Sequence, residues 1–392
     1  MSRRIAVHVT AAAERALRAG HPWVYDRAIR KQNRDGQAGD LAVIFDSKNR
    51  FLAIGLYDPE SPIRVKVLQH YEPAEINAEF FHRRLKEAAQ RREELPTTGT
   101  NGYRLVHGEN DKLPGLIIDR YDETLVIKLY TAAWFPHLED ILSGLDAIQP
   151  ASRWILRSSR KVESINNYQD GSILRGTKPS GSIVFEENGL RFYADVLHGH
   201  KTGFFFDQRD NRALVGQYAA GAKKVLDVFA YVGAFSVYAA RGGAKHVISL
   251  DVSAPALHTA QQNFALNADV IRHTQHDIIV ADAFEGMRQL QGEQFDMVIV
   301  DPPSFAQRAG QIKRALHAYD RLAALAISLV RENGFLVMAS CSSRVGAEAF
   351  FSTVEKGRSL EVIQRTSHAV DHPIAFPEGA YLKCLFARVK AR

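Results

Sequence analysis

At 392 residues the chain is too long for one ordinary hydrophobic core, so two or three domains are expected. No apolar run approaches the roughly 20 residues that span a bilayer, and Met1-Ser-Arg-Arg-Ile-Ala-Val-His8 lacks a signal-peptide core, so a cytoplasmic location with no membrane partner is expected. With only Cys341 and Cys384 present, a disulfide framework and a cysteine-rich zinc site are excluded.

The net charge of +6 is placed unevenly: residues 1–34 carry eight Arg and Lys against Glu14 and Asp26. An arginine-rich patch suits phosphate backbones; a solvated helix face is the plainer alternative. Residues 1–70 read as a small, mostly β module. Ile5 to Val9 is a strand, Ala11 to Arg18 a helix stopped by Gly20, and His21 to Tyr25 extended chain. Leu41 to Phe45, Phe51 to Tyr57 and Ile63 to Leu68 are strands split by polar turns, and basic charge beside Trp23 and Tyr25 suits a nucleic-acid groove unless those aromatics are core.

Glu75 to Glu94 reads as an amphipathic helix with Phe80, Phe81, Leu85 and Ala88 on one side, and Pro96 to Gly102 as a linker. A second small α+β unit runs from Tyr103 to about Asn167, with strands Leu116 to Asp119, Leu125 to Tyr130 and Trp154 to Arg157 and a helix Pro136 to Leu145. Asn188-Gly189 is the strongest hairpin signal in the chain. Lys201-Thr-Gly-Phe-Phe-Phe-Asp-Gln-Arg-Asp-Asn-Arg212 reads as an unusual surface segment that opens a helix, where an arginine can grip a carboxylate and first-turn N–H groups assist; a capped helix start with buried aromatics is the plainer alternative.

The organising stretch is Lys224-Val-Leu-Asp-Val-Phe-Ala-Tyr-Val-Gly-Ala-Phe-Ser236, a buried strand that turns at Gly233 into a helix. A second apolar strand ends at Asp251, 24 positions after Asp227, where an acid can accept ribose hydroxyls. The strict G-x-G-x-x-G is absent, so nothing cradles a pyrophosphate and a phosphate-free nucleoside cofactor, S-adenosylmethionine, fits better. Strands and helices keep alternating to the end, with strands Ile278 to Asp282, Phe295 to Asp301 and Phe335 to Cys341, which predicts a parallel doubly wound sheet with ligands at the strand carboxyl ends. Those ends carry Asp227, Asp251, Asp282, Asp301 and Cys341; with no histidine at ligand spacing, no metal is expected.

Asp301-Pro302-Pro303-Ser304 stiffens a turn after a buried strand, but amino-group methyltransferases usually place an aromatic where Ser304 stands. Cys341 lies between small polar residues on the next strand; a thiolate adding to cytosine C6 makes C5 nucleophilic. Cys384 lies mid-strand and reads as core.

With these residues in view, the chain resembles the bacterial ribosomal large-subunit methyltransferase I family, which makes 5-methylcytosine in 23S ribosomal RNA. The resemblance covers essentially the full length. It rests on His21-Pro-Trp-Val-Tyr25, Leu113 to Arg120, Lys201 to Arg212, Asp227 to Gly233, Asp301 to Phe305, Ser340-Cys-Ser342, and Asp371-His-Pro through Tyr381-Leu-Lys383. It implies an α/β chain: an N-terminal PUA-like β-barrel that binds RNA (1–72), a linker helix and central α+β domain (73–187), and a class I Rossmann-like methyltransferase sheet (188–392). It also implies Cys341 as nucleophile and S-adenosylmethionine held by Phe206, Asp207, Gln208, Arg209, Arg212, Asp227, Phe229, Ala230, Tyr231, Gly233, Asp251, Val252, Ser253, Asp282, Ala283, Asp301 and Pro302. The expected partner is RNA, 23S rRNA in particular, with a homodimer left open. Related C5-uracil enzymes place a glutamate near Lys383, so the base that removes the C5 proton is unassigned between Asp301 and Glu378. Two other readings stand beside this one: methylation of an exocyclic amine or other RNA position, and an RNA-binding assembly factor with a vestigial cofactor fold.

Overall fold

The computed structural model describes residues 3–158, 162 and 168–391; the end expected for the central unit near Asn167 lies outside the described residues. The chain divides into two compact units, one of Met1–Gly189, Ala194–Phe206 and Asp371–Gly379, the other of Leu190–Tyr193, Asp207–Val370 and Ala380–Arg392.

In the first unit a six-stranded sheet runs in the order Trp23–Tyr25, Ile63–His70, Phe51–Tyr57, Leu41–Phe45, Arg4–Val9, Ile29–Gln32. Its strands pair antiparallel except Arg4–Val9 with Leu41–Phe45. Alternation explains which side is wet: Ile5, Val7 and Val9 are buried while Ala6 and His8 are half-exposed. A five-stranded sheet follows, ordered Ser172–Arg175, Arg153–Ser158, Thr124–Leu129, Leu116–Tyr121, Gly102–His107. Leu41, Ile54, Leu56 and Leu68 of the first sheet pack in one apolar cluster with Phe81, Trp134 and Trp154. The two sheets therefore share a core.

Three expectations change here. Pro96 to Gly102 is not a loose linker: Leu95–Thr98 forms a 3₁₀ turn, Leu95 and Thr100 are buried, and a strand starts at Gly102. The amphipathic helix is shorter, Ala78–Gln90, because Asn77 caps it by accepting from Phe80 N at 3.0 Å. Two of the three phenylalanines read as surface are core: Phe204 and Phe206 pack with Phe185, and Phe206 with Tyr121, ring centroids 4.9–5.5 Å apart. The Asn188-Gly189 turn has both residues left-handed (φ 52° and 74°), as a two-residue hairpin loop requires.

A buried charge network fastens the returning segment Asp371–Gly379 into this unit. The Arg92 guanidinium, 1 % exposed, grips Asp111 through two bonds of 2.9 and 2.7 Å and donates to the carbonyls of Ala88, Arg104 and Asp371. Asp371 in turn accepts from Arg104 N at 2.9 Å, and Asn110 accepts from Ala375 N at 2.8 Å. Every donor of Arg92 is used, which offsets the cost of burying it.

The second unit is a seven-stranded sheet ordered Gln275–Val280, His246–Asp251, Lys224–Val228, Phe295–Val300, Val330–Ser340, Lys383–Val389, Leu360–Thr366. The first five strands are parallel; Lys383–Val389 runs antiparallel to both its neighbours, Val330–Ser340 and Leu360–Thr366, which corrects the all-parallel expectation. Phe295–Val300 is buried at all six positions, as a central strand covered on both faces must be. Cys384 is buried within Lys383–Val389, as its mid-strand position implied.

Replacing Asp111 by Ala strands the Arg92 charge in the core. A loss of about 3–5 kcal/mol is expected, read as an earlier urea transition in tryptophan fluorescence; an unchanged transition contradicts the role given to this pair.

Candidate active site

The site is built at the carboxyl edge of the second unit's sheet, and strand register aligns its parts. Val228 pairs with Leu250 on one side and Val300 on the other, so Asp251 and Asp301, each one residue further on, flank the turn that begins at Phe229. That turn is strained. Phe229 and Tyr231 hold φ of 64° and 50° and Gly233 follows at 70°, and a left-handed non-glycine residue costs about 1–3 kcal/mol. Glycine is needed at 233, since a Cβ there would lie 2.7 Å from Ala260 Cβ.

Asp251 compensates by bonding. Its Oδ2 accepts from Tyr231 N at 2.9 Å and its Oδ1 from Ser253 N at 2.8 Å, while Ala230 N donates to Leu250 O at 3.1 Å. Each Asp251 oxygen keeps capacity for one more donor. Val252 between these contacts is 73 % exposed, an apolar surface beside a carboxylate.

Asp227 is fully buried one residue before the strand end. Its Oδ2 accepts from Ser236 Oγ at 2.7 Å and Ser236 N at 3.1 Å, and Oδ1 has no hydrogen-bond partner among the described residues. Burial pushes its carboxyl up to about 7, opposed by Ser236 and reinforced by the charges of Asp301 and Asp251. Sequence reading missed Ser236; its polar side chain in the helix Ala234–Arg241, otherwise apolar through Ala240, was the available signal.

Asp282 departs from its expected place. The strand stops at Val280, and Asp282 caps the helix Ala283–Gln289, its Oδ1 accepting from Phe284 N at 3.0 Å and Glu285 N at 3.3 Å. A carboxylate preceding Ala283-Phe-Glu favours an N-cap over strand continuation. Asp282 is exposed beyond the edge and Ala283 is buried.

In the segment expected to open a helix, Arg209–Tyr218 is helical, with Arg209 and Arg212 buried in its first turn. Asp207 accepts from Tyr381 OH at 2.8 Å, and Gln208 accepts from Asn211 Nδ2 at 2.6 Å, so part of this polar run braces the unit. Phe206 lies in the first unit with its ring committed to the core.

Cys341 follows directly on Val330–Ser340, the strand beside the one that leads to Asp301-Pro302. Its Sγ is 3.8 Å from Pro302 O, and the residue is half-buried. The neighbouring antiparallel strand pairs Ser340 with Lys383, whose ammonium donates to the carbonyls of Ser342 and, at 3.1 Å, Tyr381. Burial lowers the Lys383 ammonium to about 8, while the Cys341 charge works in the opposite direction. Tyr319 OH meets Ser340 Oγ at 2.8 Å; burial raises this phenol to about 12, so it stays protonated near neutrality and is no general base. Glu378 belongs to the first unit, where it pairs with His21 at 3.4 Å.

Known proteins bear on this geometry. A sequence-family model for S-adenosylmethionine-dependent methyltransferases matches residues 103–388, and one for PUA-like domains matches residues 7–70. A ribosomal RNA large subunit methyltransferase of Deinococcus radiodurans is 44% identical, with 98% of each chain covered. A ribosomal RNA large subunit methyltransferase I of Tolumonas auensis is 38% identical over 96% of this chain and 97% of its own. Among solved structures, a methyltransferase complexed with SAH superposes with a TM-score of 0.84 at 21% identity, covering 99% of this chain and 100% of that one. A SAM-dependent methyltransferase from Streptococcus mutans gives 0.83 at 21% identity, covering 98% and 100%.

The buried acid supplies a pH test. Asp227 is raised in the fold relative to its ordinary value of 3.8, so its contribution is intact below pH about 4 and is lost as pH climbs through about 7. Asp227→Asn escapes that loss: its melting temperature relative to the parent should rise between pH 5 and pH 8. A difference that stays flat or falls contradicts the assignment.

Proposed function

Because the chain belongs to the ribosomal RNA large subunit methyltransferase I family, we propose that it forms 5-methylcytosine in 23S ribosomal RNA through a covalent adduct on Cys341. It is an S-adenosylmethionine-dependent methyltransferase. The observation that carries the finer reading is the meeting of Cys341 Sγ and Pro302 O at 3.8 Å, where the residue after the strand Val330–Ser340 abuts the Asp301-Pro302-Pro303 turn.

The residues at the edge suit the cofactor. Asp251 has acceptor capacity for ribose hydroxyls, exposed Val252 suits a base, and Asp227 Oδ1, buried and unbonded among the described residues, suits a cationic amino group. Phe229, Ala230, Tyr231, Gly233, Ser253, Asp301 and Pro302 complete the proposed rim, with Asp207, Gln208, Arg209 and Arg212 held for the amino-acid end and Asp282 and Ala283 for the base. S-adenosylmethionine, when bound, supplies a methyl group on a sulfonium.

For the cytosine, the Cys341 thiolate forms the S–C6 bond and the displaced electron pair makes C5 a carbon nucleophile. After methylation, a base takes the C5 proton and the electron pair returns to C5–C6, breaking the S–C6 bond and restoring the thiolate. Asp301 is the carboxylate proposed for that proton. The Lys383 ammonium, close enough to interact with Cys341, favours a thiolate. The alternative, an exocyclic amine or other RNA position, draws on Asp301-Pro302-Pro303, but the fourth residue is Ser304 and the Phe305 ring packs on Tyr319 at 5.1 Å.

Incubation with 23S RNA containing 5-fluorocytidine should trap a protein–RNA adduct stable to denaturant, because fluorine does not leave as a proton does. Cys341→Ala should form no adduct and lose methyl transfer by at least about 10³-fold while still binding S-adenosylhomocysteine; an adduct or full activity in that variant removes the mechanism. Lys383→Met should displace the rising limb of the pH–rate profile to higher pH. An unmoved limb would deny Lys383 its electrostatic part.

A further inference from the structure

Beside the Asp301-Pro302-Pro303 turn lies a cavity of about 450 Å³ that the proposed chemistry does not use. Phe284, Ser304, Phe305, Arg314, His317 and Arg321 line it. The three cationic or titratable residues belong to one helix, Ile312–Leu329, at positions that share one face. The opposite face, with Ala315, Tyr319, Leu322 and Ala326, is buried on the sheet, so the helix is fixed and the basic row is held over the cavity.

Charge in the cavity is one-sided. The nearest carboxylates in sequence are engaged elsewhere, Asp320 with Arg358 at 2.6 Å and Glu285 with Arg288 at 3.0 Å. Arg321 lies over the Phe284 ring at 4.6 Å, a flat cation on an aromatic face. The loop forming the outer wall is pinned, since Gln311 Oε1 accepts from Gln307 N at 2.9 Å and Arg308 N at 3.1 Å. Guanidinium groups beside aromatic rings are the chemistry that holds a single-stranded nucleotide, the charge meeting its phosphate and the ring its base.

We infer that this cavity binds the phosphodiester and base of a nucleotide adjoining the target cytosine in the RNA strand. The inference rests on the RNA-methyltransferase reading and deepens it: Ser304 and Phe305 line the cavity and directly continue the Pro302-Pro303 turn that meets Cys341, which sets the cavity next to the proposed target site. Arg314 and Arg321 each neutralise phosphate charge, and His317 adds a donor.

The test is RNA binding by the full chain with S-adenosylhomocysteine in place of the methyl donor, using unmodified 23S ribosomal RNA transcribed in vitro, between 50 and 200 mM salt. Arg314→Ala with Arg321→Ala should weaken binding about 10- to 100-fold at low salt and reduce the slope of log affinity against log salt by about 1–2. Both arginines are exposed, so the fold should survive, and S-adenosylhomocysteine binding should stay within about twofold. Arg314→Lys with Arg321→Lys should keep the slope. An unchanged affinity and slope in the Ala variant overturns the inference alone, as does a variant that loses only inorganic phosphate binding. Failure of the parent protein to bind the RNA overturns it together with the RNA-methyltransferase reading.

Discussion

One carboxylate holds the site together. Asp251 ends its strand in register with the residue after Val228 and bonds both Tyr231 N and Ser253 N. It thereby stabilises a turn in which Phe229 and Tyr231 occupy a backbone region that bulky side chains avoid. Without that anchor the turn would relax, and neither the buried Asp227 nor the backbone from Phe229 to Gly233 would keep its place. The parallel register extends the same discipline outward, setting Asp301 one residue past Val300 and Cys341 one past Ser340.

Much of this was legible in the chain. The apolar run Val225 to Val228, the glycine at 233 and the acid at 251 predicted strand, turn, helix, strand and acid, and those elements stand where expected. The left-handed Phe229 and Tyr231 were not legible, because no local propensity marks a bulky residue for positive φ; at Tyr231 the backbone N–H donates to an acid 20 residues further on. Strand direction was equally silent. An apolar run such as Cys384 to Phe386 reads the same both ways, and only pairing with Val330–Ser340 reveals it as antiparallel.

Polar residues in apolar company were the hardest to place. Lys383 begins a buried strand, and sequence gave no reason for a lysine there; the structure supplies the Ser342 and Tyr381 carbonyls that satisfy it. Arg92 looked like one more charge on an amphipathic helix, yet it is among the most buried side chains because Asp111 and three carbonyls converge on it. The polar run from Asp207 to Arg212 reads as ligand contacts or as a plain helix start, and neither reading shows that Asp207 and Asn211 brace Tyr381 and Thr366.

Which atom of the base receives the methyl group is measured most directly by mass spectrometry of nucleosides from 23S RNA treated with the protein and methyl donor. The proposed Cys341 adduct predicts 5-methylcytidine, with the C5 hydrogen released to solvent. Recovery of N4-methylcytidine, or of a methylated nucleoside other than cytidine, would contradict it.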